Sequence, residues 1–81
     1  MHIRVHFYSY FKDLTGCAQV EEDLADGGTI NDLLKQLCAR FPKLAPLGKS
    51  TLVAVGVEYQ DRHYAVKEGD EVSLFPPVQG G

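Results

Sequence analysis

Full helical periodicity appears in one stretch of this chain. After Thr29, the residues Ile30, Leu33, Leu34, Leu37, Cys38 and Phe41 recur at the i, i+3, i+4, i+7 spacing of an amphipathic helix. Thr29 with Asp32 three residues on resembles a capping box, with Asp as a shorter substitute for Glu. Pro42 ends the helix, because the residue before a proline resists helical angles. The other patterned segments read as strands. One helix with one apolar stripe needs a sheet to lie on, and the sheet needs one face covered. The expected fold class is therefore α+β, a mixed sheet with one main helix lying across it. At 81 residues the chain is one small domain, able to bury roughly 60–65% of its unfolded surface.

The strand segments are read from their alternation. In "HIRVHFYS" (2–9), Ile3, Val5 and Phe7 face one side, with His2, Arg4, His6 and Tyr8 on the other. "YFKDLTG" makes one helical turn, expected to be capped by Ser9 and stopped at Gly16. Residues 17–24 alternate again, with Ala18, Val20 and Leu24 set against Gln19, Glu21 and Asp23, which predicts an antiparallel hairpin with the first strand. "KLAPLGKS" reads as a loop, and "TLVAVGVEY" as a strand buried on both faces for part of its length. Residues 60–66 suggest a short edge strand, "KEGD" a turn, and Glu71 to Phe75 a last strand ended by Pro76 and Pro77. Ile3, Val5, Phe7, Leu33, Leu37, Val55, Val72 and Leu74 are expected to share one core.

Composition excludes several classes of function. The net charge is −3, and the eight Lys and Arg are scattered singly, which argues against nucleic acid or an acidic membrane as partner. No apolar run approaches the ~20 residues of a membrane span, and the first ten residues lack a cleavable-signal pattern. The cytoplasm is the expected location. Cys17 and Cys38 show no metal or redox spacing, and Cys38 on the helix stripe reads as a small buried hydrophobe. His2 and His6 share a strand face but lie about 13 Å apart at ~3.3 Å per residue, too far for one ion. Those two and His63 are expected to bind no metal. The acidic residues Glu68, Asp70 and Glu71 read as a solvated turn, with an ionic docking surface as the alternative. Neither a catalytic pocket nor a nucleotide-binding motif is present in the pattern.

The last residues, "FPPVQGG", are the most specific part of the chain. Two prolines hold the backbone near polyproline II and keep it from folding back. From Pro76 to Gly81 the chain can reach roughly 18–20 Å at about 3.1–3.3 Å per residue. Gly80 and Gly81 lack Cβ atoms, so the tip can enter a narrow channel. Phe75 and Val78 leave apolar surface at the base of this stem for a partner to cover. The expected division is a domain over 1–75 and an extended tail over 76–81.

The ending "SLFPPVQGG", preceded by "KEGDEV" and "LVAVGVEY", resembles the small subunit of molybdopterin synthase, a ubiquitin-like sulfur carrier family. The resemblance runs from "IRVHFYSYFKDLTG" through the capped helix to the tail. Gly56, where many members carry Asn, and Gln79, where small residues are frequent, depart from it. The resemblance implies a β-grasp fold. It also implies that an E1-like activating enzyme adenylates the Gly81 carboxylate with ATP and Mg²⁺, and that the 1-glycyl adenylate becomes a thiocarboxylate. The large subunit of the synthase would receive the tail, with Gly80 giving clearance and Phe75, Pro76, Pro77 and Val78 docking. Sulfur would pass to cyclic pyranopterin monophosphate for the dithiolene of the molybdenum cofactor. This chain would hold no cofactor or metal of its own. The rival functions are a carrier for another pathway, such as that of the thiamin thiazole, and a ubiquitin-like modifier joined to lysines.

Overall fold

The computed structural model describes residues 1–77. Five strands form one sheet in the order β2-β1-β5-β3-β4. They are β1 (His2–Phe7), β2 (Gln19–Asp23), β3 (Leu52–Val55), β4 (Glu58–Tyr59) and β5 (Glu71–Phe75). β1 pairs antiparallel with β2 and parallel with β5, while β3 pairs antiparallel with both β5 and β4. The sheet is thus mixed, with the chain's first and last strands side by side at its centre. That pairing needs a long crossover, and the main helix α2 (Ile30–Arg40) lies in it.

Alternation in the sequence settles which sheet face is covered. Ile3, Val5, Phe7, Val53, Val72 and Leu74 are all at most 2% exposed, and they meet Leu33 and Leu37 of α2 in one core. Val55 packs partly buried against it. Seven of the eight expected core residues are buried there, Val55 only partly, and Phe11, Leu24, Ile30, Leu44 and Val66 extend the core beyond them. Val53 and Ala54 are consecutive and both buried, so β3 is covered on both faces where they lie.

Both halves of the predicted capping box are formed. The Thr29 hydroxyl accepts the Asp32 N–H at 3.3 Å, and the Asp32 carboxylate accepts the Thr29 N–H at 2.9 Å. The next two donors of the first turn are met from outside the helix. The Ile30 N–H donates to the Tyr64 carbonyl and the Asn31 N–H to the Arg62 carbonyl, each at 3.0 Å. Residues 60–66 are therefore not an edge strand. They satisfy the start of α2, with Ala65 bridging Thr29, and meet the sheet where the Gln60 N–H donates to the Val53 carbonyl of β3 at 3.0 Å.

Hydrogen bonds from Thr29 hold the Asp32 carboxyl below its usual range. A carboxylate depressed in the fold stabilises above its ordinary value and loses that contribution as pH falls through the folded value. Asp32→Asn is therefore expected to flatten the acid limb of stability. Urea midpoints taken at about pH 7 and about pH 3 should differ less in the variant than in the native chain. Equal differences would remove Asp32 from the acid response.

Three local expectations are corrected. Ser9 does not cap α1 (Phe11–Thr15): Tyr10 stands at the N-cap without a side-chain bond, and Ser9 itself takes φ +56°. Only its carbonyl serves the turn, accepting the Lys12 N–H at 3.2 Å. Gly16 does stop that helix, at φ +79° in the left-handed region glycine favours. Residues 42–47 form a 3₁₀ helix, Pro42–Leu47, rather than a loop, with Leu44 buried beneath it. Pro42 at its first turn lacks only a donor that would be unpaired there anyway. Along residues 17–24, Ala18 is exposed and the inward positions belong to Val20, Glu22 and Leu24.

Glu22 is 5% exposed and ties β2 to α2. Gln36 Nε2 donates to it at 2.8 Å, and Arg40 pairs with its other carboxylate oxygen. A buried carboxylate persists only with such partners.

Candidate functional site

The sheet face away from α2 carries the candidate site. Moving out from Leu74, β5 turns Phe75 to this face, opposite Leu52 of β3 in the register. Tyr8, just past the end of β1, stacks on Phe75 with ring centroids 4.7 Å apart and planes 13° from parallel. Tyr59 of β4 meets the other edge of the ring at 6.2 Å and 61°. Leu52 and Tyr8 are about two-fifths exposed, and Tyr59 is 69% exposed. Val57 is fully open in the two-residue turn between β3 and β4, at the Glu71 end of β5 and away from Phe75. Gly56 opens that turn at φ +63°, the sign a hairpin of this length requires at its first loop residue.

Phe75 is therefore not a free side chain. It is the centre of an aromatic cluster, half covered by Tyr8, and the Pro76–Pro77 stem leaves the sheet directly from it. The cluster is apolar, exposed and contiguous, the kind of surface that marks an interaction site. Phe75, Pro76 and Pro77 are all partly buried at the root of the tail. Val78, Gly80 and Gly81 lie outside the described residues.

The same face becomes polar toward β2. His6 Nε2 lies 2.8 Å from a Glu71 carboxylate oxygen. His2 pairs with Glu21 and, at 3.1 Å, with Asp23, and these carboxylates raise the pKa of its imidazole. The two histidines thus have separate acidic partners. Among the described residues no group of three or more His, Cys, Asp or Glu is arranged to hold a metal ion. Each residue of the acidic turn also has an internal partner. Glu68 accepts the His2 N–H at 3.0 Å, Asp70 accepts the Lys67 N–H at 2.8 Å, and Glu71 meets His6. That engagement favours the turn over the ionic docking surface. His63 is exposed, its N–H bonded to Asp61 in a local turn. Cys17 and Cys38 are both free thiols, and burial pushes the Cys38 thiol up.

Comparison with known proteins places this geometry. Residues 5–81 match the model of the ThiS family. The chain belongs to that family. It is 36% identical to a molybdopterin synthase sulfur carrier subunit of Chlamydomonas reinhardtii, over the whole of both chains. Among solved structures it resembles a putative molybdopterin converting factor subunit 1 from Pyrococcus furiosus, at 26% identity and a TM-score of 0.88. That match covers 96% of this chain and 99% of the other. It also resembles small archaeal modifier protein 1 of H. volcanii, at 26% identity and a TM-score of 0.86, covering 95% and 98%. The fold is β-grasp, as the resemblance implied.

Tyr8, Leu52 and Tyr59 were missed as site residues in the sequence. Tyr8 stood on a face read as polar, and the others come from segments whose relation to Phe75 only the sheet order reveals. The available signal was the outward phase of large apolar residues at one end of three strand patterns.

Proposed function

We propose that this chain is the sulfur carrier subunit of a molybdopterin synthase, with the Gly81 carboxylate as its reacting group. The observation that carries the reading is the cluster around Phe75, an uncovered apolar surface at the point where a proline stem leaves the central strand. Full-length similarity to a sulfur carrier subunit supports it. In the proposed reaction an E1-like enzyme binds ATP and Mg²⁺, and a Gly81 carboxylate oxygen attacks the α-phosphorus and releases pyrophosphate. A reduced sulfur nucleophile then displaces AMP from the acyl carbon, leaving a thiocarboxylate at Gly81. In the large subunit that sulfur attacks cyclic pyranopterin monophosphate. This chain's residues dock and orient, and the side chains that move protons during transfer belong to the partner. The likeness to the archaeal modifier favours one second reading, attachment of Gly81 to lysines. An isopeptide product rather than a free thiocarboxylate would establish that alternative.

Docking is tested at the cluster. Phe75→Ala is expected to weaken binding to the large subunit by about 2 kcal/mol or more, roughly thirtyfold. The domain should lose far less, about 1 kcal/mol for the stack on Tyr8. Because Phe75 also packs internally, Tyr59→Ala provides the cleaner variant: it removes a largely exposed ring and should weaken the complex while leaving Tm almost unchanged. Calorimetric affinities equal to that of the native chain for both variants would exclude this face as the docking surface.

A further inference from the structure

On the helix side of the sheet, α2, the 3₁₀ helix and the Arg62 loop border an open pocket of about 480 Å³. Leu34, Cys38 and Ala45 supply its apolar lining, and Lys35, Lys49 and Arg62 its cations. Three of the chain's eight Lys and Arg thus border one opening, in a protein whose net charge is −3. No Asp or Glu lines it. Among the described residues none of the three cations forms an ion pair with a carboxylate. The nearby Asp32 accepts from Thr29 in the cap and interacts with Lys35 only through space, so it offsets that cation in part without a direct ion pair.

Arg62 is held in place without being neutralised. Its Nη2 donates to the Gly48 carbonyl at 2.9 Å and the Thr51 carbonyl at 2.8 Å. Carbonyls fix the guanidinium while leaving its full charge in the pocket. A thiol ordinarily titrates above neutral pH and burial pushes Cys38 further up, so the lining adds no negative charge there. An apolar lining beside cations that form no direct ion pair suits a ligand with one anionic end and one apolar end.

We propose that this pocket binds a small-molecule phosphate monoester, its phosphate between Lys35, Lys49 and Arg62 and its ring against Leu34, Cys38 and Ala45. Two observations favour a small molecule over an acidic protein segment. The site is a pocket whose volume lies within the roughly 300–1,000 Å³ of ligand pockets. It also lies on the opposite side of the sheet from the Phe75 cluster, so a protein seated on that cluster leaves it open.

Amide chemical shifts of the full chain provide the test, with phenyl phosphate and AMP as probes and inorganic phosphate and adenosine as controls. Both probes are expected to give saturable shifts centred on Leu34, Lys35, Cys38, Gly48 and Lys49, with each control at least about tenfold weaker. Lys35 and Lys49 are exposed, so the double variant Lys35→Glu/Lys49→Glu should keep the native Tm while weakening both probes at least about tenfold. The proposal is overturned if neither probe saturates, if inorganic phosphate binds as tightly as the probes, or if the double variant binds them like the native chain. It is equally overturned if the double variant loses affinity only for the activating enzyme or the large subunit, which would make the pocket a contact for an acidic protein surface. No readout involves sulfur transfer, so failure here leaves the tail reaction untouched.

Discussion

A chain lengthened by one residue after Gly81 is expected to gain no sulfur when incubated with its activating enzyme, ATP and a sulfur donor. Under the same conditions the native chain should gain about 16 Da as one oxygen becomes sulfur, a change that depends on the acyl carbon reaching near-attack geometry. The extended chain still ends in a carboxylate, but one displaced by roughly 3.3–3.6 Å. Reacting atoms must sit about 3–3.5 Å apart, so a shift of that size removes productive geometry in both partner sites. Deleting Gly81 should fail for the opposite reason, by leaving the tip short. Neither change touches the core, which closes within residues 3–74, nor the Phe75 cluster. Both variants should therefore fold, melt like the native chain and still bind the large subunit. Intact-mass spectrometry decides the matter. An equal mass gain in the extended chain would place the reacting group elsewhere and end the sulfur-carrier reading.

The second large effect is expected in the core. Leu37 is completely buried on the face of α2 that meets the sheet. Leu37→Ala removes that side chain from among close-packed neighbours, and the cost should be about 2–5 kcal/mol, the range for buried leucines that leave a cavity. In a domain of this size, about 3 kcal/mol would lower Tm by well over 10 °C. Leu52→Ala supplies the contrast. Leu52 is 37% exposed on the other face of the sheet, so the same chemical change should cost much less in urea unfolding. If the two variants lost equal stability, the assignment of the covered face would be wrong.

The covered face was legible because it rests on short-range periodicity. Ile3, Val5 and Phe7 alternate, and Leu33, Leu34 and Leu37 recur at helical spacing, so each segment carries its own record of which side is buried. The ends of α2 were equally local, set by Thr29 with Asp32 at one end and by Pro42 at the other. Segments without a period were not legible. The 3₁₀ helix at Pro42–Leu47 is too short to show one, and residues 60–66 are shaped by the donors of α2 rather than by a pattern of their own. Glu22 followed the inward phase of β2, but a lone carboxylate does not announce burial. Its partners Gln36 and Arg40 lie 14 and 18 residues away.

The tail divides in the same way. Its composition alone specified a stiff stem with a bare tip, because proline restricts φ and glycine lacks a Cβ wherever they occur. What surrounds its root depended on strand order. β5 lies between β1 and β3, which brings Tyr8 onto Phe75 from one side and Leu52 and Tyr59 from the other. Phe75 and Tyr8 are 67 residues apart in the chain, and no local pattern encodes their contact. The pocket between α2 and Arg62 has the same origin. Lys35, Lys49 and Arg62 read as single scattered charges along the chain, and only the packing of a helix, a 3₁₀ turn and a loop gathers them around one opening. Local periodicity determined what is buried, and tertiary packing decided which exposed residues meet.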